Sequence, residues 1–318
     1  MVDSPRSPKE LASLLDTLRA NVGQVFLSKP EVVQLALVAL LADGHLLLED
    51  VPGVGKTLLA KALARSLACK FSRIQFTPDL LPGDLLGVTV YREKVGEFVF
   101  QPGPLFAQVV LADEINRATP RTQSALLEAM QERQVTVDVQ THQLGPPFLV
   151  IATQNPHEFE GTYPLPESQL DRFTLRLKVG YPDRDTERAI LTQHRSGEPV
   201  ETLTPVLSPT DILALQTHTR KVRVDTAIAD YILDLTHETR GHPEIVLGAS
   251  IRASLSLYRA SQAFAVTAGR DYVIPDDVKS LAEATLAHRL VTRGWTQGGH
   301  PDAAPVIHEI LAKIKAPT

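Results

Sequence analysis

One short segment constrains this chain more than any other: Glu49-Asp50-Val51-Pro52-Gly53-Val54-Gly55-Lys56-Thr57. It comes directly after the apolar run His45–Glu49, which reads as a strand, and it opens a helical pattern from about Lys56 to Ala68. A strand that enters a Gly-rich turn and leaves it as a helix is the context a phosphate-binding loop requires. Gly53 and Gly55 let backbone N–H groups close around phosphate oxygens, and the helix start adds positive potential. Lys56 can pair with the β- and γ-phosphates and Thr57 can ligate Mg2+, with Pro52, Val54 and Leu58 beside them as further nucleotide contacts. Asp50 departs from the general form GxxxxGK(S/T), which begins with glycine, so the backbone there must be one that aspartate tolerates. A plain Gly-rich turn would carry the same glycines, and the acidic and amide residues further along the chain separate the two uses.

The apolar run Leu105–Ala112 ends in Asp113-Glu114, which places two carboxylates at the carboxyl end of a strand, where α/β sheets hold their ligands. In such a pair Asp113 would hold Mg2+ through water, and Glu114 would orient and polarise the attacking water. The next strand ends in Ile151-Ala152-Thr153-Gln154-Asn155-Pro156. Asn155 is expected to hydrogen-bond the γ-phosphate or the water; the alternative is a turn asparagine bonding its own backbone. Arg172 sits at a helix-to-strand junction that lies away from the chain's own loop in such a fold. It would therefore act on a neighbouring copy's nucleotide, as arginine fingers do. A salt bridge to Asp171 or Glu167 is the competing use, and Arg117 and Arg121 are reserves. Arg252, early in the helix after Gly248-Ala249-Ser250, is the matching nucleotide-sensing candidate in the second half of the chain.

Around these motifs the organisation is α/β. Apolar runs at Arg73–Phe76, Val109–Ala112, Leu149–Ala152 and Phe173–Val179 alternate with helical patterns and imply a parallel sheet. Helices are expected ahead of the loop at Ser7–Ala20 and Glu31–Ala42. Two hairpins interrupt the alternation, one pairing Val88–Tyr91 with Glu97–Phe100, the other pairing Gln134–Val137 with His142–Leu144. After about Gly180 the strand signals stop, and helices are expected near 184–195, 209–220, 225–240, 249–268 and 276–290. Ser208, Pro209 and Asp211 mark one start. Two domains are thus expected over the 318 residues: 1–180, binding nucleotide, and 181–318, all helical.

Composition narrows the class further. With 43% hydrophobic and 22% charged residues and a net charge of −5, the chain can bury a core and has no broad basic field for nucleic acid. The longest apolar stretch, Val32–Ala42, is too short to span a bilayer, so no membrane insertion is expected. Met1–Glu10 mixes prolines with both charges, unlike an export signal, and Cys69 is the only cysteine. A cytoplasmic setting is the expectation.

Taken together, Asp50–Thr57, LADEINR at Leu111–Arg117, ATQNP at Ala152–Pro156, LPESQLDRF at Leu165–Phe173 and GASIRA at Gly248–Ala253 resemble the MoxR family of AAA+ ATPases. The resemblance covers most of the chain. It implies an AAA+ P-loop sheet of order 5-1-4-3-2 with a C-terminal helical lid, ATP and Mg2+ as cofactors, and a homo-oligomer, a hexameric ring. It also implies chaperone-like remodelling of a partner, commonly a protein with a von Willebrand A domain. The hairpins resemble the helix-2 insertion and the pre-sensor-1 hairpin of this branch, and Val22-Gly23-Gln24 resembles its adenine-contacting stretch. Ile251 and Val139 depart from it, standing where proline and glycine are frequent. A nucleic-acid motor or a magnesium-chelatase-like motor subunit are the alternatives within the branch. Against the first, Gln134–Leu144 holds no lysine or arginine. A GTPase would need an Asn-Lys-x-Asp motif, which the sequence lacks.

Overall fold

The computed structural model describes residues 8–51, 53–94, 96–138, 140–155, 161–293 and 302–317. Helices α1 (Pro8–Gly23) and α2 (Pro30–Leu41) lead into β1 (Leu46–Glu49), α3 (Lys56–Ser66) and β2 (Phe71–Gln75). Next come α4 (Pro82–Leu86), β3 (Gly87–Arg92), β4 (Glu97–Pro102), β5 (Val109–Asp113) and α5 (Pro120–Glu132). Strands β6 (Gln134–Val137), β7 (Gln140–Gln143) and β8 (Leu149–Gln154), helix α6 (Glu167–Leu170) and β9 (Leu175–Leu177) come after them. The remainder comprises α7 (Arg184–Gln193), α8 (Pro209–Thr219), α9 (Thr226–Gly241), β10 (Ile245–Leu247) and α10 (Ile251–Thr267), then α11 (Pro275–Leu286), β11 (Val291–Thr292) and α12 (Ala304–Lys313).

Period-two burial builds the centre. Leu46 and Leu48 on β1, with Leu111, Ile151 and Leu175, belong to the hydrophobic cluster that includes α1, α2 and α3. Leu47, Val110, Ala112, Val150 and Ala152 point the other way, into a second cluster with Leu126 and Met130 of α5. Both faces being covered, the strands read as continuous apolar runs, as parallel strands do. The sheet has the order β2-β5-β8-β1-β9 with parallel pairing throughout, which is 5-1-4-3-2 when only its own strands are counted. Register Gln75↔Asp113, Ala112↔Ala152 and Glu49↔Gln154 aligns the carboxyl ends of the three strands that carry the motifs, β1, β5 and β8, and of β2 beside them.

Both hairpins form. In β3–β4, Val88 pairs with Gln101 and Arg92 with Glu97. The second hairpin closes more tightly than expected: Val137 pairs with Gln140, ahead of the expected partner strand from His142. Asp138 takes φ 54°, a left-handed conformation that aspartate accepts better than most residues, which replaces the missing glycine; Val139 lies outside the described residues. The hairpins also touch, since Phe100 stacks on His142 at 3.8 Å and Thr89 Oγ1 donates to Asp138 Oδ2 at 2.8 Å.

Beyond β9 the regular elements among the described residues are all helices except for the antiparallel pair β10–β11, Ile245 opposite Thr292. Strands this short carry no readable alternation, which is why the sequence pattern suggested helices alone. Ser208 closes a capping box with Asp211 at the start of α8. Helix α10 packs against α2, and its buried Leu257 belongs to the same cluster as the sheet face below. No helix among the described residues is long and apolar enough to cross a membrane. Cys69 is half-buried, and burial pushes its thiol up to about 11, which leaves it protonated and unreactive.

Candidate functional site: a nucleotide cleft at the sheet's carboxyl edge

The loop between β1 and α3 depends on its glycines. Gly53 and Gly55 take φ 86° and 93°, a region other residues enter at a cost, and a Cβ on Gly55 would also meet the Phe26 ring at 3.4 Å. Asp50 does not lie in the left-handed region, so aspartate is unstrained there. Its side chain is used instead: Oδ1 accepts from Val51 N at 2.8 Å and Oδ2 from Gly180 N at 2.5 Å, while its carbonyl accepts from Lys56 Nζ at 2.6 Å. The first loop position thereby ties the loop to the exit of β9. Pro52 lies outside the described residues.

Strand register brings the two carboxylates beside the loop, and Thr153 of β8 ties the Asp113 carboxylate to the Glu114 backbone. Its hydroxyl donates to Asp113 Oδ1 at 2.7 Å and accepts from Glu114 N at 2.9 Å. Arg73 of β2 holds the other Asp113 oxygen, with Nη2 at 2.6 Å and Nε at 3.2 Å from Oδ2. Glu114 sits at φ 57°, ψ 50°, an uncommon conformation for a non-glycine residue and one that marks functional turns. Its Oε2 accepts from Gln75 Nε2 at 2.7 Å and lies 3.2 Å from Arg117 Nε. Asn155 ends β8 in the same corner, 8% exposed.

These groups line one cleft of about 520 Å³. Gly53 to Leu58, Asp113, Glu114 and Asn155 form its polar end, joined by Arg73 and Gln75. Thr57 and Asp113 offer hard oxygen donors there, a set suited to Mg2+. Val25, Phe26, Leu27, Pro182, Ile190 and Val200 add apolar lining, interspersed with Ser28, Lys61, His194 and Glu198. The lining differs from the expected contacts at Val22 and Gly23. Helix α1 runs to Gly23 instead of ending at Ala20, so Val22 falls in its last turn, on the stripe Leu11, Leu15, Leu18, Val22, and is 0% exposed. Val22 and Gly23 do not line the cleft; Val25 to Ser28 do.

The two arginines lie elsewhere, and together. Arg172 donates from Nη1 to the Leu127 carbonyl at 2.6 Å, and Arg252 Nη1 stands 3.9 Å from the adjacent Asp171 carboxylate. Neither lines the cleft. The salt bridge weighed for Arg172 is made by other residues: Asp171 pairs with Arg252 and Arg289. Of the reserves, Arg117 is engaged with Glu114 inside the site. Arg121 is exposed at the start of α5.

Comparison with known proteins identifies the fold and its family. Residues 45–175 match the family described as ATPase family associated with various cellular activities (AAA), and residues 237–310 match the AAA lid domain. Chaperone MoxR1 of Mycobacterium tuberculosis is 42% identical over 98% of this chain and 86% of its own length. The chain belongs to the MoxR family of AAA+ ATPases. Protein MoxR of Paracoccus denitrificans is 30% identical over 85% of this chain and 86% of its own. A solved Cytophaga hutchinsonii chain superposes with a TM-score of 0.89 at 36% identity, covering 98% of this chain and 97% of that one.

Proposed function

We propose that this MoxR-family chain hydrolyses ATP with Mg2+ at a seam between two copies, remodelling a partner protein with the energy released. The observation that carries the reading is the placement of Asp113 and Glu114 beside the glycine loop, both ordered by Thr153. Loop N–H groups and Lys56 bind the phosphates, and Val25 to Leu27 offer the apolar wall for the base. Bound Mg2+ would supply Lewis-acid stabilisation of phosphate charge, held by Thr57 and Asp113. Glu114 accepts the proton of the attacking water once its carboxylate turns from Gln75 and Arg117, and Asn155 orients that water.

The cleft's own cations are Lys56, Lys61 and Arg73, while Arg172, bonded to the Leu127 carbonyl, and Arg252, beside Asp171, lie outside it. That arrangement supports their use on a neighbour's nucleotide, within a closed homo-oligomeric ring, a hexamer in this reading. Because Arg252 shares Asp171 with the arginine-finger turn, the two act on the same side of the seam. Remodelling of a partner is favoured over a nucleic-acid motor by the hairpins, since Gln134–Leu144 offers no lysine or arginine to phosphate. A relative carrying the name chaperone points the same way. The partner proposed is a protein with a von Willebrand A domain, met in the cytoplasm.

The test combines hydrolysis and capture. Glu114→Gln is expected to keep ATP binding, lose roughly 100-fold or more in kcat, and hold a purified von Willebrand A domain partner more tightly with ATP than with ADP. Parental turnover in Glu114→Gln contradicts the assignment of the base, and stimulation of the parent by DNA instead of by the partner contradicts the partner class.

A further inference from the structure

The turn that carries Arg172 is gripped by the lid. Asp171, at the end of α6, accepts from Ser250 Oγ at 3.2 and 3.1 Å, and Arg289 Nε lies 3.3 Å from its Oδ1. Arg289 also reaches the backbone on both sides of Arg172. Its Nη2 donates to the Phe173 carbonyl at 2.6 Å and to the Asp171 carbonyl at 3.4 Å. His288 Nε2 meets the Phe173 carbonyl at 3.0 Å. All three side chains come from the second half of the chain, Ser250 capping α10 and the other two lying just past α11.

Arg289 is an expensive residue to keep in this place. Its side chain is 2% exposed and its Nη1 finds no hydrogen-bond partner, which leaves a buried polar group unsatisfied at a cost to stability. Burial lowers its pKa to about 10, with Asp171 opposing the shift, so the charge survives at neutral pH. Buried ion pairs add little net stability compared with apolar packing, and their better-attested use is to fix one geometry. Here the geometry fixed is that of a single turn, whose next residue is Arg172. A guanidinium that must meet a phosphate on another copy needs its backbone held, since a displacement of about 1 Å can cost roughly 100-fold in rate.

We propose that Asp171 and Arg289 are positioning residues that hold Arg172 for the neighbouring copy, so that the lid sets how well a subunit completes the next site. The proposal rests on the shared-seam reading of Arg172 and deepens it. Asp171→Asn keeps the shape of the side chain and removes the charge that faces Arg289 and Arg252. It is expected to lower kcat at least roughly tenfold while the Kd for ATP stays within about twofold. Mixed with Lys56→Ala subunits, which keep Arg172, Asp171→Asn subunits should regain activity; mixed with Arg172→Ala subunits they should regain none. Arg289→Lys, which keeps charge but loses the fork to two carbonyls, should show the same split of kcat from Kd.

The outcomes separate cleanly. If Arg172→Ala turns over like the parent, the seam reading itself fails. If Arg172→Ala is inactive while Asp171→Asn and Arg289→Lys both match the parent, the seam stands and the positioning role is wrong. Loss of ATP binding in both variants, with no recovery on mixing with Lys56→Ala, shows a general structural role and overturns the proposal as well.

Discussion

The Thr153 hydroxyl donates to Asp113 Oδ1 at 2.7 Å, so a residue on one strand fixes the carboxylate on the next. Because the same oxygen accepts the Glu114 N–H, a single side chain orders both residues to which the proposed mechanism gives the metal and the proton. Thr153→Val has nearly the same shape but leaves Asp113 Oδ1 and the Glu114 N–H without this partner, a loss of about 1–3 kcal/mol in stability. Steady-state kinetics should show kcat lowered by roughly 10- to 100-fold with ATP affinity little changed, and Thr153→Ser should restore most of it.

Gln75 restrains Glu114, the base in the proposed mechanism. Its donation to Glu114 Oε2 stabilises the carboxylate in a position shared with Arg117, and the group must leave that position to accept a proton. Removing the amide by Gln75→Ala releases about 1 kcal/mol of hydrogen bonding. Unstimulated ATP turnover should therefore rise by about fivefold. A fall in turnover would show that Gln75 supports the chemistry directly.

Acid should weaken the sheet through His45. Its Nδ1 accepts from Val150 N at 3.1 Å, which requires the Nε2–H tautomer that meets the Met130 carbonyl at 3.1 Å. Burial, with Arg133 nearby, lowers the pKa from 6.5 to about 3. The unfolded chain thus takes up a proton below pH 6.5 that the folded chain refuses, and stability falls as pH drops from there towards 3. The slope is about 1.4 kcal/mol per pH unit for this one group, or about 2 kcal/mol at pH 5. Denaturant unfolding of the parent and of His45→Gln at pH 7 and pH 5 checks this, the variant being less stable at neutral pH and less sensitive to acid.

How far the sequence could be read depends on how local each feature is. The loop, the two carboxylates and Asn155 lie on contiguous motifs at strand ends, and the sheet order came from the family likeness they carry. Arg73 and Gln75 escaped notice because their partners, Asp113 and Glu114, are joined to them only by strand pairing. A signal existed: at period two they share the face opposite the buried Ile74, at the carboxyl end of an edge strand. Val22 and Gly23, the expected contacts, fall outside the cleft because α1 is one turn longer than its leucine pattern suggests, which draws Val22 into the core. The Asp171–Arg289 contact spans residues far apart in sequence, and no local pattern announces it.

Whether the chemistry is shared between copies is decided most directly by mixing two inactive variants. Arg172→Ala subunits keep an intact glycine loop, and Lys56→Ala subunits keep Arg172. Each alone should hydrolyse ATP at no more than roughly 1% of the parental rate, and the mixture should recover a substantial fraction, rising with the share of seams that pair a sound loop with an intact Arg172. A mixture no more active than its two components, from subunits shown to co-assemble, contradicts the shared site.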